Sequence, residues 1–259
     1  MDFLITDIET GTSKKADLFL PDKLKFPPSA KEPVHKAPKS FVDPVKIKAR
    51  IADNKAKWKA DYQDKISKFK VEYDKWESKC PLDALTGEVL AIGYKHGHEG
   101  NVVLHYQKEK ITEKDLLIQY WKYFTTIVKK EGSIIGHNLK GFDMPFLWRR
   151  STLYGMRPPW FPLGKDKWAM MLKDTMENFG CGTYPKVFVS LNNLLKFYGL
   201  KQKTEDGKNF QDIFKTDPKR ALEYLEGDII GTYEVAKCQA MLPMTQEQAD
   251  KDQEKIKWK

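Results

Sequence analysis

The feature that most constrains this chain is an alternation of short apolar segments with longer segments of helical periodicity. A short apolar run beside turn residues is typical of a strand, whereas apolar positions three or four apart are typical of one helix face. Strand candidates lie at Phe3 to Thr6, Val89 to Tyr94, Val102 to Tyr106, Ser133 to Gly136 and Trp168 to Leu172. Helices are predicted after Thr112 and over residues 142–154, 190–199 and 218–241. The pattern predicts an α/β fold, with a mixed five-stranded sheet flanked by helices and no internal repeat.

One region, residues 13–80, departs from this alternation. It opens with a Lys-rich run that holds five prolines, which predicts an extended, irregular arm. From Asp43 to Trp76 the apolar residues recur at spacings of mostly three and four, which predicts one long helix or a helical hairpin. Residues 14–80 hold 18 Lys+Arg against 10 Asp+Glu, nearly the whole basic excess of the chain. We expect a single domain over residues 1–259 that carries 13–80 as a basic helical insertion after the first strand.

Composition excludes several classes of protein. No apolar run approaches the roughly 20 residues that a membrane-spanning helix needs, and the N-terminus has acids where a signal peptide carries basic residues. We therefore expect a cytoplasmic protein without a membrane partner. The cysteines, Cys80, Cys181 and Cys238, form no C-x-x-C pair, which argues against a disulfide framework or a cysteine-based zinc site. The formal charge of +9 suits a polyanionic partner but by itself indicates only non-specific attraction.

Two acidic residues, Asp7 and Glu9, follow the apolar start of the first strand candidate. Because side chains alternate along a strand, these two carboxylates project from the same face. Like charges on one face of a buried strand need a cation to balance them. An isolated Asp-x-Glu string is more often a solvated strand end, so the interpretation depends on acids elsewhere in the chain.

Three further chemical groups lie on predicted helices. Asp143 falls in the first turn of a helix, where a carboxylate also complements the helix dipole without any catalytic role. Tyr224 and Asp228 are four residues apart, so they share one helix face and can converge on one point. Taken alone, each has an ordinary structural explanation. In combination with Asp7 and Glu9, they match one chemical design.

Together these residues resemble the DEDD superfamily of 3′ to 5′ exonucleases. Members carry Asp-x-Glu on the first strand, an N-x-x-x-(F/Y)-D segment, which stands here as Asn138 to Asp143, and a final Asp. Tyr precedes that final Asp, Asp228, at the spacing of the tyrosine subtype, and the histidine subtype places its His where this chain has Glu223. With its Lys/Pro-rich insertion and the segment Cys80 to Tyr94, the chain is also similar to stand-alone phage and bacterial exonucleases related to the proofreading domain of family B DNA polymerases.

The resemblance implies an RNase H-like fold and hydrolysis of phosphodiester bonds with two divalent cations, Mg²⁺ or Mn²⁺. Hard cations of this kind take oxygen ligands, which carboxylates supply. The resemblance implies that Asp7 bridges both ions, that Glu9 and Asp228 hold the ion of the attacking water, and that Asp143 holds the second ion. Tyr224 would orient the water, because a phenol with a pKa of about 10 is a poor base at neutral pH.

Further residues are candidates to bind the substrate or to support the site. Asn138 is a candidate to hydrogen-bond the terminal nucleotide, with Phe142 in the same motif, and Thr10 to contact the 3′ end. His137 either binds the substrate or packs within the fold, as most single histidines after a buried strand do. Asp174 either supports the metal ligands or caps the helix that follows it.

The predicted function is a metal-dependent 3′ to 5′ exonuclease that releases nucleoside 5′-monophosphates from DNA 3′ ends, with single strands preferred. One alternative is an exoribonuclease on the same scaffold, because the choice between DNA and RNA depends on how the site meets the 2′-hydroxyl. Another is a non-catalytic nucleic-acid-binding or scaffold protein, which would not need the catalytic groups. A replication or recombination protein is a candidate partner, and the basic insertion can bind nucleic acid or protein. The resemblance places the chain in a bacterial or phage-infected cell.

Overall fold

The computed structural model describes residues 2–40, 42–159, 171–181, 188–203 and 210–243. The chain divides into two units. Met1–Gly11 and Gly87–Lys259 form the first, named here the sheet unit. Thr12–Thr86 forms the second, named here the arm-helix unit.

The arm-helix unit is organised around one long helix. A one-turn helix, α1 (Asp22–Lys25), precedes α2 (Pro44–Glu77), which runs for 34 residues. At 1.5 Å per residue, α2 is about 51 Å long. It begins where the Asp43 side chain accepts the N–H of Val45 at 2.9 Å, and its proline stands in the first turn, where a missing N–H costs no hydrogen bond. Of the two alternatives left by the sequence, one helix and a hairpin, the structure contains one helix.

The Pro-rich arm lies along α2. Lys23 forms an ion pair with Glu72 at 2.7 Å, and the Asn54 amide donates to the carbonyl of Lys36 at 3.3 Å. These contacts run in opposite order along the two segments, so the arm is antiparallel to the helix. The apolar stripe of α2 is half-buried, and no residue of α2 is fully buried.

The sheet unit is built on one mixed sheet of five strands. They are β1 (Phe3–Thr12), β2 (Gly87–His96), β3 (Val102–Tyr106), β4 (Ser133–Gly136) and β5 (Leu172–Asp174). Their order is β3-β2-β1-β4-β5, with β4 parallel to both β1 and β5, and β2 antiparallel to β3. The predicted α/β fold with a five-stranded mixed sheet is confirmed. The first residues of the strand expected from Trp168 lie outside the described residues, and β5 continues to Asp174.

Six helices of the sheet unit fall within the described residues. They are α3 (Glu113–Lys129), α4 (Asp143–Leu153), α5 (Thr175–Phe179), α6 (Leu191–Phe197), α7 (Phe210–Thr216) and α8 (Pro218–Cys238). Four of them stand where helical periodicity predicts a helix. The sequence analysis predicts no helix at the other two, α5 and α7. Among the described helices, none combines the length and the apolar character that a membrane span needs.

The core of the sheet unit includes the interface between the sheet and α8. Leu225 and Ile229 of α8 are fully buried and pack in one cluster with Phe3 and with other apolar strand residues. Each such buried side chain contributes about 1.5–3 kcal/mol. Gly93 of β2 permits the close approach, because a Cβ there would lie 2.8 Å from a side-chain carbon of Ile229. Burial of this face sets the rotation of α8, and with it the position of Asp228.

The parallel strands bring three chain segments to one edge of the sheet. The register pairs Ile5 with Ile135, and Gly136 with Asp174. Parallel strands end at the same edge, so the later residues of β1, the loop after β4 and the end of β5 lie together there. This edge holds most of the residues that the sequence singles out.

Candidate active site

Three carboxylates converge beside β1. Asp7 and Glu9 stand two residues apart on this strand, and Asp228 reaches them from α8. One ligand oxygen of each lies within 4.8 Å of the other two. A donor set made only of carboxylate oxygens suits a hard divalent cation such as Mg²⁺ or Mn²⁺.

Asp143 lies beside this cluster, at the start of α4. Its side chain is buried, and its Oδ1 accepts the backbone N–H of Ile8 at 3.2 Å. Because Ile8 stands between Asp7 and Glu9 in β1, this hydrogen bond joins the helix start to the strand that carries two of the acids. The structure therefore brings three predicted metal ligands into one cluster and places the fourth next to it.

Burial and mutual repulsion raise the pKa values of these acids. Burial, and then the negative charge of Asp228, raises the pKa of Asp7 to about 8. Burial, followed by the charges of Asp7 and Asp228, raises the pKa of Glu9 well above its usual range. Burial, followed by the charge of Asp7, raises the pKa of Asp143 in the same way. The positive charge beside the cluster does not offset its negative charge, so the cluster would attract a bound cation.

Lys203 places an ammonium group at the edge of the cluster. Its Nζ forms an ion pair with Oδ1 of Asp228 and donates a hydrogen bond to the Tyr224 hydroxyl at 2.8 Å. Burial raises the pKa of Asp228, while the charge and the hydrogen bond of Lys203 act to lower it. The backbone N–H of Lys203 donates to Oδ1 of Asn192 at 3.1 Å, which anchors this segment to α6. These contacts hold Lys203 in place as part of the site.

The sequence motifs do not reveal Lys203. It stands in the segment between α6 and α7, and the three motifs that identify the acids do not include it. Several other lysines lie nearby in the chain, so its residue type carries no signal. The one available indication is chemical, since several acids predicted to share a site need a cation near them.

Tyr224 shares a face of α8 with Asp228. Burial, and then the negative charges of Asp228 and Glu9, raises the pKa of the Tyr224 hydroxyl. The hydroxyl therefore keeps its proton at neutral pH. It can donate a hydrogen bond but cannot act as a base there.

Asp174, the last residue of β5, holds two segments at once. Its Oδ1 accepts the N–H groups of Met176 at 3.0 Å and Glu177 at 3.3 Å, which caps α5. The same carboxylate accepts the N–H of Asn138 at 3.0 Å and that of Lys140 at 3.0 Å. Asp174 therefore caps a helix and also fixes the loop that carries Asn138.

A cleft of about 460 Å³ opens at the carboxylates. His137 is part of its wall, and both of its ring nitrogens are bonded within the protein. The Nε2 donates to the carbonyl of Val189 at 2.9 Å, and the Nδ1 forms a hydrogen bond with the Thr175 hydroxyl at 2.9 Å. Burial lowers the pKa of His137. The cleft is lined by Asp7, His137, Ser190, Leu191, Asn192, Asn193, Lys203, Tyr224 and Asp228.

Three other predicted substrate-binding residues lie near the site. In the part of the chain that the structure describes, they are not among the residues that line this cleft. Asn138 has a left-handed φ of 57°, and its carbonyl accepts the N–H groups of Gly141 and Phe142. The Phe142 ring is half-buried and lies 5.4 Å from that of Phe146. Thr10 is buried on β1. The structure brings these residues to the sheet edge, but they do not line the described cleft in which a nucleotide could bind.

Sequence comparison identifies the family. Residues 87–257 match the family described as predicted 3′-5′ exonucleases related to the exonuclease domain of PolB. The chain belongs to this family. The match includes Asp143, Tyr224 and Asp228, while Asp7 and Glu9 precede it. The predicted relationship to family B polymerase exonucleases is confirmed, and nucleic acid is the substrate class that membership implies.

Comparison of structures agrees with this family. The family B DNA polymerase from the hyperthermophilic archaeon Pyrobaculum calidifontis is similar, with a TM-score of 0.50 and 13% sequence identity. The match covers 92% of this exonuclease-family chain and 24% of the polymerase, so the chain spans about a quarter of the polymerase's length. At this identity the similarity shows the fold alone, and it confirms the predicted RNase H-like fold class. No curated protein matches the sequence.

Proposed function

We propose that the chain hydrolyses the phosphodiester bond at the 3′ end of DNA, prefers single strands, and releases nucleoside 5′-monophosphates. The observation that carries this proposal is the convergence of Asp7, Glu9 and Asp228 within 4.8 Å in a chain of this exonuclease family. Tyr224, one turn before Asp228 on α8, supports the tyrosine subtype of the DEDD superfamily.

Two divalent cations, Mg²⁺ or Mn²⁺, are the proposed cofactors. Asp7, Glu9 and Asp228 would hold one ion, and Asp143 together with Asp7 would hold the other. The donor set fits, because it offers only oxygen atoms and because the raised pKa values mark a site that attracts positive charge. When bound, a pair of such ions activates water, stabilises the phosphate in the transition state and neutralises the leaving oxygen.

Tyr224 is proposed to orient the attacking water. Its raised pKa means that the hydroxyl stays protonated and does not abstract a proton at neutral pH. Its oxygen accepts a hydrogen bond from Lys203 at 2.8 Å, which limits the directions in which its own O–H points. Orientation of the water, rather than base catalysis, is therefore the role that this geometry supports.

Four residues are proposed to contact the terminal nucleotide: Thr10, His137, Asn138 and Phe142. The proposal for Asn138 is supported by its backbone, which Asp174 holds through a 3.0 Å hydrogen bond. The proposal for His137 is supported by its place on the wall of the cleft. Since both of its ring nitrogens already have partners in the protein, His137 would contact the nucleotide through the ring face.

A nuclease assay on single strands labelled at either end tests the proposal. With Mg²⁺ or Mn²⁺, 3′-labelled DNA should release its label as a mononucleotide at once, while 5′-labelled DNA should shorten stepwise. EDTA should abolish both reactions. Preferential degradation of RNA would favour the exoribonuclease alternative, and no degradation of either polymer would favour a non-catalytic binding protein.

A matched pair of variants on α8 makes this assay specific for the site. Asp228→Asn should lose activity, whereas Asp217→Asn should keep it. Both remove one carboxylate from the same helix. Asp217 accepts the N–H of Arg220 at 3.1 Å as a helix cap, and asparagine caps a helix equally well. Equal loss in both variants would show that the effect comes from the helix rather than from the metal ligands.

A further inference from the structure

An 11-residue repeat runs along α2, so the expectation of no internal repeat is wrong. The strings Lys-Ile-Lys-Ala, Lys-Trp-Lys-Ala and Lys-Phe-Lys-Val begin at residues 46, 57 and 68. Eleven residues complete just over three turns of an α-helix, so equivalent residues share one face. Each string adds one lysine to each of two rows, and within a row the lysines are about 16.5 Å apart at 1.5 Å per residue.

The first lysine row consists of Lys46, Lys57 and Lys68. Lys57 forms an ion pair with Asp53 at 3.2 Å, and Lys68 with Asp64 at 2.7 Å. In both pairs the aspartate stands one turn before the lysine on the same face. Two of the three charges in this row are therefore already in contact with a carboxylate.

The second lysine row consists of Lys48, Lys59 and Lys70. All three side chains are exposed, and no ion pair within 4 Å involves them in the part of the chain that the structure describes. The repeat explains why these lysines form no ion pairs along the helix. Only one of the six positions one turn before or after them holds an acidic residue. Those positions are Pro44, Lys55 and Ile66 before them, and Ala52, Gln63 and Asp74 after them.

The aromatic stripe beside these rows is engaged within the arm-helix unit. The Trp58 ring stacks on Tyr62 with 5.4 Å between centroids, and its centroid lies 6.3 Å from that of His35 in the arm. A lipid surface or an apolar helix would need this stripe, whereas a polyanion needs only the lysines. The arrangement therefore favours an anionic partner over an apolar one.

We propose that the second lysine row binds the phosphate backbone of single-stranded DNA. The choice of nucleic acid as the polyanion rests on the proposed function. Charge complementarity supports it, since three exposed lysines lie in one row along a helix of about 51 Å. A flexible single strand can follow a straight line of charges, whereas each backbone of a duplex winds around its axis and leaves that line. The arm-helix unit thus provides a substrate contact of its own.

Two triple variants of the full chain test this proposal. Lys48→Gln, Lys59→Gln and Lys70→Gln together neutralise the second row, and Lys46→Gln, Lys57→Gln and Lys68→Gln neutralise the first. The two triples remove equal charge from the same helix at positions two residues apart. Lysine and glutamine have similar helix propensities, so far-UV circular dichroism should be unchanged in both.

Binding of a labelled single-stranded oligonucleotide is measured by fluorescence anisotropy in EDTA, over a range of salt concentrations. The second-row triple should bind about 10- to 100-fold more weakly at 0.1 M salt, and its log-log salt slope should be shallower by about 2. The first-row triple should change affinity by less than about threefold. Equal losses in both triples would show that only net charge matters, and no loss in the second-row triple would show that this row does not hold DNA. Either result would overturn the proposal.

Two further measurements separate this proposal from its competitors and from the proposed function. If the second-row triple loses binding to anionic lipid vesicles but not to the oligonucleotide, the occupant is a membrane and the proposal is wrong. Hydrolysis of a p-nitrophenyl ester of thymidine 5′-monophosphate needs no polymer contact, so both triples should keep it. Absence of this hydrolysis in the unmodified chain would count against the proposed function. The binding comparison in EDTA would still test the second lysine row, because it does not depend on catalysis.

Discussion

The sheet unit and the arm-helix unit use charge in opposite ways. In the sheet unit, strand and helix positions draw acids together, three of them within 4.8 Å, and burial raises their pKa values. In the arm-helix unit, lysines recur at regular intervals on α2, where no residue is fully buried. Salt screens exposed charges over roughly 8 to 10 Å but screens buried pairs much less. The same substitution should therefore have a large effect in the first unit and a small one in the second.

The largest expected difference is between Asp7→Asn and Asp64→Asn. Asp7 belongs to the carboxylate cluster, whereas Asp64 pairs with Lys68 on the surface of α2. Asp7→Asn should lower turnover on 3′-labelled DNA by about a thousandfold or more, and it should not destabilise the fold, since it removes a buried charge with a raised pKa. Asp64→Asn should leave turnover at saturating substrate unchanged. Full activity in Asp7→Asn would show that the carboxylate cluster is not needed for turnover.

Two ion pairs, one in each unit, give the next largest difference. The Lys203 and Asp228 side chains are 16% and 9% exposed, against 74% and 59% for Lys68 and Asp64. In EDTA at about pH 8, Lys203→Gln should cost roughly 3 kcal/mol of unfolding free energy, because it leaves the Asp228 charge buried without its partner. The cost should shrink at about pH 5, where Asp228 with its raised pKa more readily takes up a proton. Lys68→Gln should show no measurable change, and equal effects in denaturant titrations would contradict the distinction between the two pairs.

Metal and pH should act on the sheet unit together. The folded chain binds protons at Asp7 more tightly than the unfolded chain, since its pKa rises from the ordinary 3.8 to about 8. This contribution to stability is complete below the unfolded pKa and is lost as pH rises through about 8. A divalent cation replaces those protons, so saturating Mn²⁺ should raise the melting temperature by about 5 °C or more near pH 8 and much less near pH 5. A metal effect that is larger at the lower pH in thermal melts would reverse this sign and exclude the cluster as the metal site.

The smallest expected effect on catalysis comes from a single hydroxyl. Tyr224→Phe keeps the ring and removes the group that is proposed to orient water, so turnover should fall about 10- to 100-fold. Its affinity for Mn²⁺, measured by calorimetry, should change little, since the phenol is not a proposed ligand. Tyr73→Phe, in the arm-helix unit, is the matched control and should leave turnover unchanged. Normal turnover with greatly weakened metal binding in Tyr224→Phe would instead make Tyr224 a metal ligand.

Much of this architecture could be predicted because the relevant patterns are local. Short apolar runs mark the strands, and a spacing of four places Tyr224 and Asp228 on one face of α8. The order of the motifs along the chain also indicates that distant acids share one site. Similarly, the pairing of Lys57 and Lys68 with acids four residues earlier follows from helical spacing once α2 is known to be one helix.

The remaining features depend on tertiary packing and leave no local pattern. Lys203 reaches Asp228 only because Asn192 and the fold of its segment direct it there. A helix and a helical hairpin share the same apolar spacing, so the sequence does not distinguish them for α2. The local sequence around Asp174 is the same whether the residue only caps α5 or also binds the loop after β4. Only the folded backbone shows that it does both.

The shared carboxylate of Asp174 has a consequence for local motion. It accepts N–H groups from Asn138 and Lys140 on one side and from Met176 and Glu177 on the other. An opening that frees one segment loosens the acceptor of the other, so both belong to one cooperative unit of local unfolding. In hydrogen exchange, these four amides should gain and lose protection together. The loop beside the cleft would then open only when the first turn of α5 opens with it.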